Sequence, residues 1–211
     1  MEPVGVVPGG VVPVEVVPAG QDRPAPLPVG TFGSGRGPLV VVGGLPGAGK
    51  TCALDQLSAR GARAGVVVLD SDGVRRAMRS RLSPVPYPLL RPVVHAVHRI
   101  RIAVSAVADR RPLVVHEPAT RRRVRAALLV LARLTGRDAR LVWVEVTPET
   151  ALHGQVDRAR VVRSRAFRCH LRSVSRHHPA HAASGAWEAV FVTDRVGAAD
   201  AVLAAVHGRA G

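Results

Sequence analysis

The sequence predicts an α/β fold, a parallel sheet covered by helices on both faces in three layers. Three observations predict it. Short apolar runs recur at Leu39–Val42, Val66–Leu69, Leu113–Val115, Leu141–Val144 and Trp187–Val192. They are too short for helices and have the apolar content of strands buried from both sides. Segments of helical periodicity lie between them, which is the alternation of a parallel sheet. The 211 residues, 47% apolar, suffice for one domain with a full core and fall short of two.

Residues 1 to 37 are a different material. Val-Val-Pro recurs at 6–8, 11–13 and 16–18 in a Gly- and Pro-rich context. Proline removes backbone donors and glycine raises the cost of ordering, so no strand or helix is expected to persist there. The segment reads as a low-complexity disordered tail or as an elastin-like tether. The domain is expected over 38–211.

Along that domain, the first strand at Leu39–Val42 leads to a helix from about Lys50 to Arg60. The second strand, Val66–Leu69, is followed by helical residues 72–81. Ser83 to Pro88 holds three prolines in five positions and reads as a loop. Val93, Val97, Ile100, Val104 and Val107 recur at helical spacing. After the third strand at Leu113–Val115, Val124, Leu128, Leu131 and Leu134 stripe the next helix. Thr147-Pro148-Glu149 reads as an N-cap, a first-turn proline and a first-turn acid, opening a helix behind the fourth strand. Val196 to Val206 closes the chain as a helix behind the fifth.

Composition excludes several classes. Two cysteines, Cys52 and Cys169, do not make a disulfide scaffold; so few point to a reducing compartment, and a cytoplasmic address is expected. The apolar stretches, such as Ala126–Ala132, fall far short of the roughly 20 residues a bilayer requires. Glu2 and the early prolines do not match a secretory signal. Basic residues number 30 against 15 acidic, a formal charge of +15, and residues 38–211 alone carry +16. All the basic residues but Lys50 are arginine, and asparagine is absent, a bias typical of a GC-rich coding sequence. The single lysine therefore marks a place where a compact ammonium serves and a planar guanidinium does not.

That lysine lies in Gly44-Leu45-Pro46-Gly47-Ala48-Gly49-Lys50-Thr51, which fits G-x-x-x-x-G-K-[ST] between a strand and a helix. Gly44, Gly47 and Gly49 let the backbone curl until successive amides face one anion. The helix N-terminus, with Cys52 in its first turn, adds its positive dipole end. Lys50 reaches the β- and γ-phosphates, and Thr51 offers a hydroxyl to Mg²⁺. ATP and Mg²⁺ are the expected cofactors.

Behind the second strand come Asp70-Ser71-Asp72-Gly73-Val74-Arg75. Carboxylates at the carboxyl end of a strand beside a phosphate site can take a hydroxyl proton, and Arg75 lies one helical turn from Asp72. Asp72 also suits a helix cap, Arg75 a solvated surface charge, and Asp70 a reserve base or metal contact.

Gly-Leu-Pro-Gly-x-Gly-Lys-Thr followed by D-x-x-R resembles the polynucleotide-kinase and zeta-toxin group of P-loop kinases, whose bacterial members are often labelled AAA-family ATPases. The resemblance implies a P-loop NTPase sheet of order 2-3-1-4-5. It implies Asp72 as general base on an acceptor hydroxyl, Arg75 placing that acceptor, and a mobile arginine-bearing lid late in the chain. The lid falls on the arginine-rich block after Asp157, which holds no acid from 158 to 187; Arg158 and Arg165 are the lid candidates, with a solvated basic helix as the alternative. In such sheets the strand beside the P-loop strand presents an acid to the metal. Glu117 stands in that place, in Val115-His116-Glu117, where the family more often has Asp; it also suits the first turn of a helix beginning near Thr120.

The remaining clusters read as structural. His170, His177, His178 and His181 with Cys169 match no zinc spacing. His95 and His98 fit the polar edge of a helix, Cys52 packing against the sheet, and Arg121–Arg125 a solvated helix face.

A kinase acting on a hydroxyl of a small molecule or a nucleic-acid end is the leading reading. An NTPase switch without an acceptor is second; a ring-forming machine is disfavoured, because such machines use a sensor asparagine. A basic nucleic-acid-binding module is third, with three Phe, one Tyr and two Trp offering little stacking surface.

Overall fold

The computed structural model describes residues 15–16, 35–59, 65–81, 87–157, 164–176, 178 and 186–208. The strands are β1 (Glu15–Val16), β2 (Leu39–Gly44), β3 (Val67–Leu69), β4 (Leu113–His116), β5 (Ala139–Val144) and β6 (Ala189–Thr193). The helices are α1 (Lys50–Ala59), α2 (Ser71–Arg81), α3 (Tyr87–Ala108), α4 (Arg122–Leu134), α5 (Pro148–Val156), α6 (Ser164–Arg176) and α7 (Ala198–His207).

All strands pair in parallel, in the order β1-β6-β5-β2-β4-β3. Counted from Leu39, the five long strands stand in the expected order 2-3-1-4-5. β2 is central, with Leu39 in register with Leu113 on one side and Ala139 on the other.

Alternation along β2 builds both layers. Leu39 and Val41 join Leu113, Val115 and Leu141 in a core with Ile102 of α3 and Leu128 of α4. Val40 and Val42 join Val114 and Val142 in a second core with Leu54 and Leu57 of α1 and Val202 and Val206 of α7. Leu39 to Val42 are all 0% exposed. Each such side chain contributes about 1.5–3 kcal/mol when fully buried, so a polar residue in β2 is poorly tolerated.

β1 departs from the expectation for residues 1–37. Glu15 and Val16 pair in register with Phe191 and Val192 of β6. β6 would otherwise be the sheet's edge, and its open row of backbone groups accepts any extended segment. Residues 1–14 and 17–34 lie outside the described residues.

Two further local expectations change. Tyr87 and Pro88, read as loop, open α3; a proline is tolerated in a first turn, where its missing N–H has no helical partner anyway. Ser83 to Pro86 lie outside the described residues. The Val93, Ile100, Val104 and Val107 stripe that marks α3 is its exposed face, whereas Leu90, Val94, His98, Ile102 and Ala106 face inward. A helix so rich in Val and Ala is apolar at helical spacing on both sides, and periodicity alone does not choose between them. The predicted cap of α5 is present: Thr147 Oγ1 accepts from Thr150 N at 3.2 Å, with Pro148 in the first turn.

Two arginines close the amino-terminal end of the sheet. Buried Arg137 donates to the carbonyls of Gly37, Ala106, Asp109 and Arg111. Arg36 donates to those of Ala106, Val107 and Asp109.

Candidate active site

β2 runs straight into the glycine loop, and its backbone takes up the conformations the motif requires. Gly47 and Gly49 have φ of +94° and +97°. A Cβ at Gly47 would collide with the Ala151 carbonyl, so the loop packs directly on α5. α1 begins at Lys50, so its first-turn amides open onto the loop. Lys50 is 4% exposed, and its Nζ donates to the carbonyls of Gly44 (3.0 Å) and Leu45 (2.8 Å). Thr51 is half-buried. Cys52, expected against the sheet, is exposed, because Ala53, Leu54 and Leu57 take the inward face of α1.

The outside of the loop is braced by residues that no motif singles out. Gln155 of α5 donates to the Pro46 carbonyl at 2.9 Å. Arg195, just after β6, donates to the Gly47 carbonyl at 2.9 Å and lies against Gly49. Phe167 of α6 packs with Leu45 and Ala151, seating that helix on the loop. These partners come from 100 to 150 residues downstream, and no local motif announces them.

At the carboxyl ends of β3 and β4 the predicted carboxylates take distinct positions. Asp70, not Asp72, caps α2: its Oδ1 accepts from Asp72 N at 3.1 Å. The same oxygen accepts from His116 Nδ1 at 2.7 Å. Burial pushes the Asp70 carboxyl up, but the His116 hydrogen bond and charge outweigh it, and Asp70 stays below the usual carboxylate range. Asp72 and Arg75 are half-buried in the first turns of α2.

Glu117 is 5% exposed. Burial raises its pKa against the pull of Arg99, His116, Lys50 and Arg121. Arg99 stands 3.8 Å from Glu117 Oε1. α4 starts only at Arg122, so Glu117 is not a first-turn acid of that helix.

Behind this end lies His98, expected on a polar edge and found fully buried. Its Nε2 donates to the His116 carbonyl at 3.1 Å, and its Nδ1 has no partner among the described residues. Burial lowers its pKa to about 4, so the ring is neutral.

Of the lid candidates, Arg165 is exposed on α6 and Arg158 lies outside the described residues. The helix is pinned across the site instead by His170 and Ser173. His170 Nδ1 shares a 2.6 Å hydrogen bond with Thr120 Oγ1, and Ser173 Oγ donates to the Thr120 carbonyl at 2.7 Å. His178, read with the histidine cluster, sits 3.5 Å from Glu145; His177 and His181 lie outside the described residues. Arg125, read as solvated, is buried and donates to the carbonyls of Ala119 and Thr120. It holds a turn in which Ala119 has φ of +53°.

The profile of a protein family described as an AAA domain matches residues 39–180, two thirds of the chain, from the first residue of β2 past the end of α6. The chain belongs to the AAA domain family. No curated protein sequence matches it. Several solved structures share the AAA domain's architecture at low identity. A chain from the PezAT chromosomal toxin–antitoxin system of Streptococcus pneumoniae is 14% identical with a TM-score of 0.56, over 76% of this chain and 68% of that one. The tunicamycin resistance protein of Deinococcus radiodurans is 15% identical with a TM-score of 0.52, over 80% and 95%. Shikimate kinase from Acinetobacter baumannii, solved with shikimate, is 16% identical with a TM-score of 0.50, over 81% and 93%. These likenesses establish a P-loop kinase-like fold for the AAA domain. No helix among its described residues is long and apolar enough to cross a membrane.

Proposed function

We propose that the protein is an ATP-dependent phosphotransferase that passes the γ-phosphoryl group to an alcohol. The observation that carries this reading is the buried Lys50, folded onto the carbonyls of its own glycine loop at the carboxyl end of the central strand. An ammonium so placed, at the mouth of a glycine loop and ahead of a helix N-terminus, is positioned to hold a phosphate chain. The hard oxygen donors beside it, the Thr51 hydroxyl and the buried Glu117 carboxylate, suit Mg²⁺, and burial makes an unneutralised carboxylate costly there. Magnesium held by them would draw charge from the β- and γ-phosphates.

The chain's own groups supply the rest. Loop amides and Lys50 orient the triphosphate. Asp72, whose neighbour Asp70 has taken over the capping of α2, accepts the hydroxyl proton. Arg75 steadies the acceptor. Arg165, together with Arg158, meets charge that develops on the transferring group. The acceptor oxygen bonds to the γ-phosphorus, the bond from that phosphorus to the bridging oxygen breaks, and ADP leaves.

The test uses γ-labelled ATP with a panel of nucleosides, sugars, sugar phosphates and oligonucleotide ends. Transfer to an acceptor that falls at least about 100-fold in Asp72→Asn supports the reading. Label released only to water, at the same rate in Asp72→Asn, marks an NTPase instead.

A further inference from the structure

We propose that the acceptor alcohol carries an anionic group of its own, a phosphate ester or a carboxylate, gripped by the guanidinium groups of Arg91 on α3 and Arg121 ahead of α4, with the His95 ring beside them as a hydrogen-bonding group. This deepens the kinase reading and rests on it.

Arg91, His95 and Arg99 follow one another at four-residue steps, which brings them along one side of α3. Arg99 reaches toward Glu117, 3.8 Å away, which ties that side of the helix to the phosphate end of the sheet. Arg121 is the residue before α4, with extended backbone and no side-chain cap, and the first turn of α4 holds no acid. His170, anchored to Thr120, joins this group from α6.

Overlapping sets of these arginines, with Lys50, surround three separate residues, and Arg121 is common to all three. His95 feels Arg91, Arg99 and Arg121. His170 feels Arg121, Arg91, Lys50 and His95. Glu117 feels Arg99, His116, Lys50 and Arg121. Arg91, Arg121 and the phosphate-gripping Lys50 therefore all lie within electrostatic reach of His170 on α6.

In an arginine-rich chain a solvated surface is the competing account. Some arginines elsewhere have acids at hand, as Arg111 pairs with Asp109 at 2.7 Å and Arg140 lies 3.7 Å from Asp138, and the neighbouring Arg36 and Arg137 are satisfied by backbone carbonyls. The side chains of Arg91 and Arg121 have no hydrogen-bonded or ion-paired partner among the described residues; Arg91 is half-buried and Arg121 exposed. Of the acids at this end, Asp70 is engaged by His116, and Glu117 lies 3.8 Å from Arg99. Like charges gathered without counter-charge repel one another, and an incoming anion relieves that repulsion. A guanidinium fork suits the planar carboxylate and the phosphate ester alike.

The test separates the two readings. The full chain is saturated with Mg–AMP-PNP in about 150 mM KCl, where long-range attraction is screened beyond about 8 Å, and is titrated calorimetrically with inorganic phosphate. A further phosphate site is expected. It should weaken at least tenfold in Arg91→Gln/Arg121→Gln, recover in part in Arg91→Lys/Arg121→Lys, and persist in Arg133→Ala on the far end of α4. Transfer assays then compare glycerol with glycerate and with glycerol 3-phosphate, and ribose with ribonate and with ribose 5-phosphate. A charged member should be preferred at least tenfold in kcat/KM, and which one distinguishes carboxylate from phosphate ester. Uptake of AMP-PNP without a phosphate site, or with one indifferent to the paired Gln substitutions, overturns the anionic-acceptor proposal and leaves the kinase reading standing. Failure to take up AMP-PNP overturns the kinase reading itself.

Discussion

Lys50 shows how far one residue's chemistry reaches. Its ammonium fits between the Gly44 and Leu45 carbonyls, a space that suits a small tetrahedral donor and not a flat fork. Lys50→Ala is expected to lower nucleotide turnover at least about 100-fold with melting temperature nearly unchanged. Lys50→Arg is expected not to restore it, although arginine is the basic residue this chain uses everywhere else. His98 has a different, measurable signature. Its native pKa is lowered from 6.5 to about 4, chiefly by burial. Between those values the unfolded chain holds a proton that the native ring refuses, so stability falls as pH drops from about 6.5 to about 4 and levels off below. The loss amounts to about 3 kcal/mol, and urea titrations at stepped pH should show it flattened in His98→Leu. The glycine loop was legible because its chemistry needs contiguous residues in fixed spacing. Arg91, Arg121 and His170 were not, because they meet only after three helices have packed. Asp70 and Asp72 were both visible, but which one caps α2 was decided by His116, 46 residues away.

Among the elements, α6 is the one whose position has consequences. It rests on the loop through Phe167 and Leu45, and it is tied to the β4–α4 turn through Thr120. Thr120 lies three residues from Glu117, so a shift of α6 is felt where the acid stands. Thr120→Val removes the hydroxyl's bond to His170 while leaving its carbonyl for Ser173. Amide exchange in α6 should speed about fivefold, the equivalent of one ordinary hydrogen bond, with exchange in β2 unchanged. The existence and order of the helices other than α6 followed from the sequence, down to the Thr147 cap, whereas α6 was open between a lid and a solvated basic helix. The inward face of α3 did not. Its valines satisfy helical spacing on both sides, and the choice falls to Leu90, Val94, His98, Ile102 and Ala106, which meet the α3-facing side of the sheet.

Over the whole molecule, the sheet order followed from the motif and the alternation of elements, whereas the addition of β1 to the edge did not, because two residues of a repetitive segment carry no signal of their own. The net charge of +15 acts at this scale too. Affinity for a single-stranded oligonucleotide is expected at low salt and should fall at least about tenfold between 50 and 200 mM KCl, the mark of counterion release. Binding that survives that change and requires a free hydroxyl end would make the oligonucleotide an acceptor rather than a mere counterion. Dissolved salt should act very differently on the base of the sheet. Arg36 and Arg137 are fastened to peptide oxygens, not to carboxylates, and those oxygens belong to the turns where β2, α3 and β4 meet. Brine dissolves ion pairs by crowding each partner with substitutes, but a dipole fixed in the main chain cannot be lured away. The foundation of this highly charged protein is thus built to ignore the ionic weather that governs its surface.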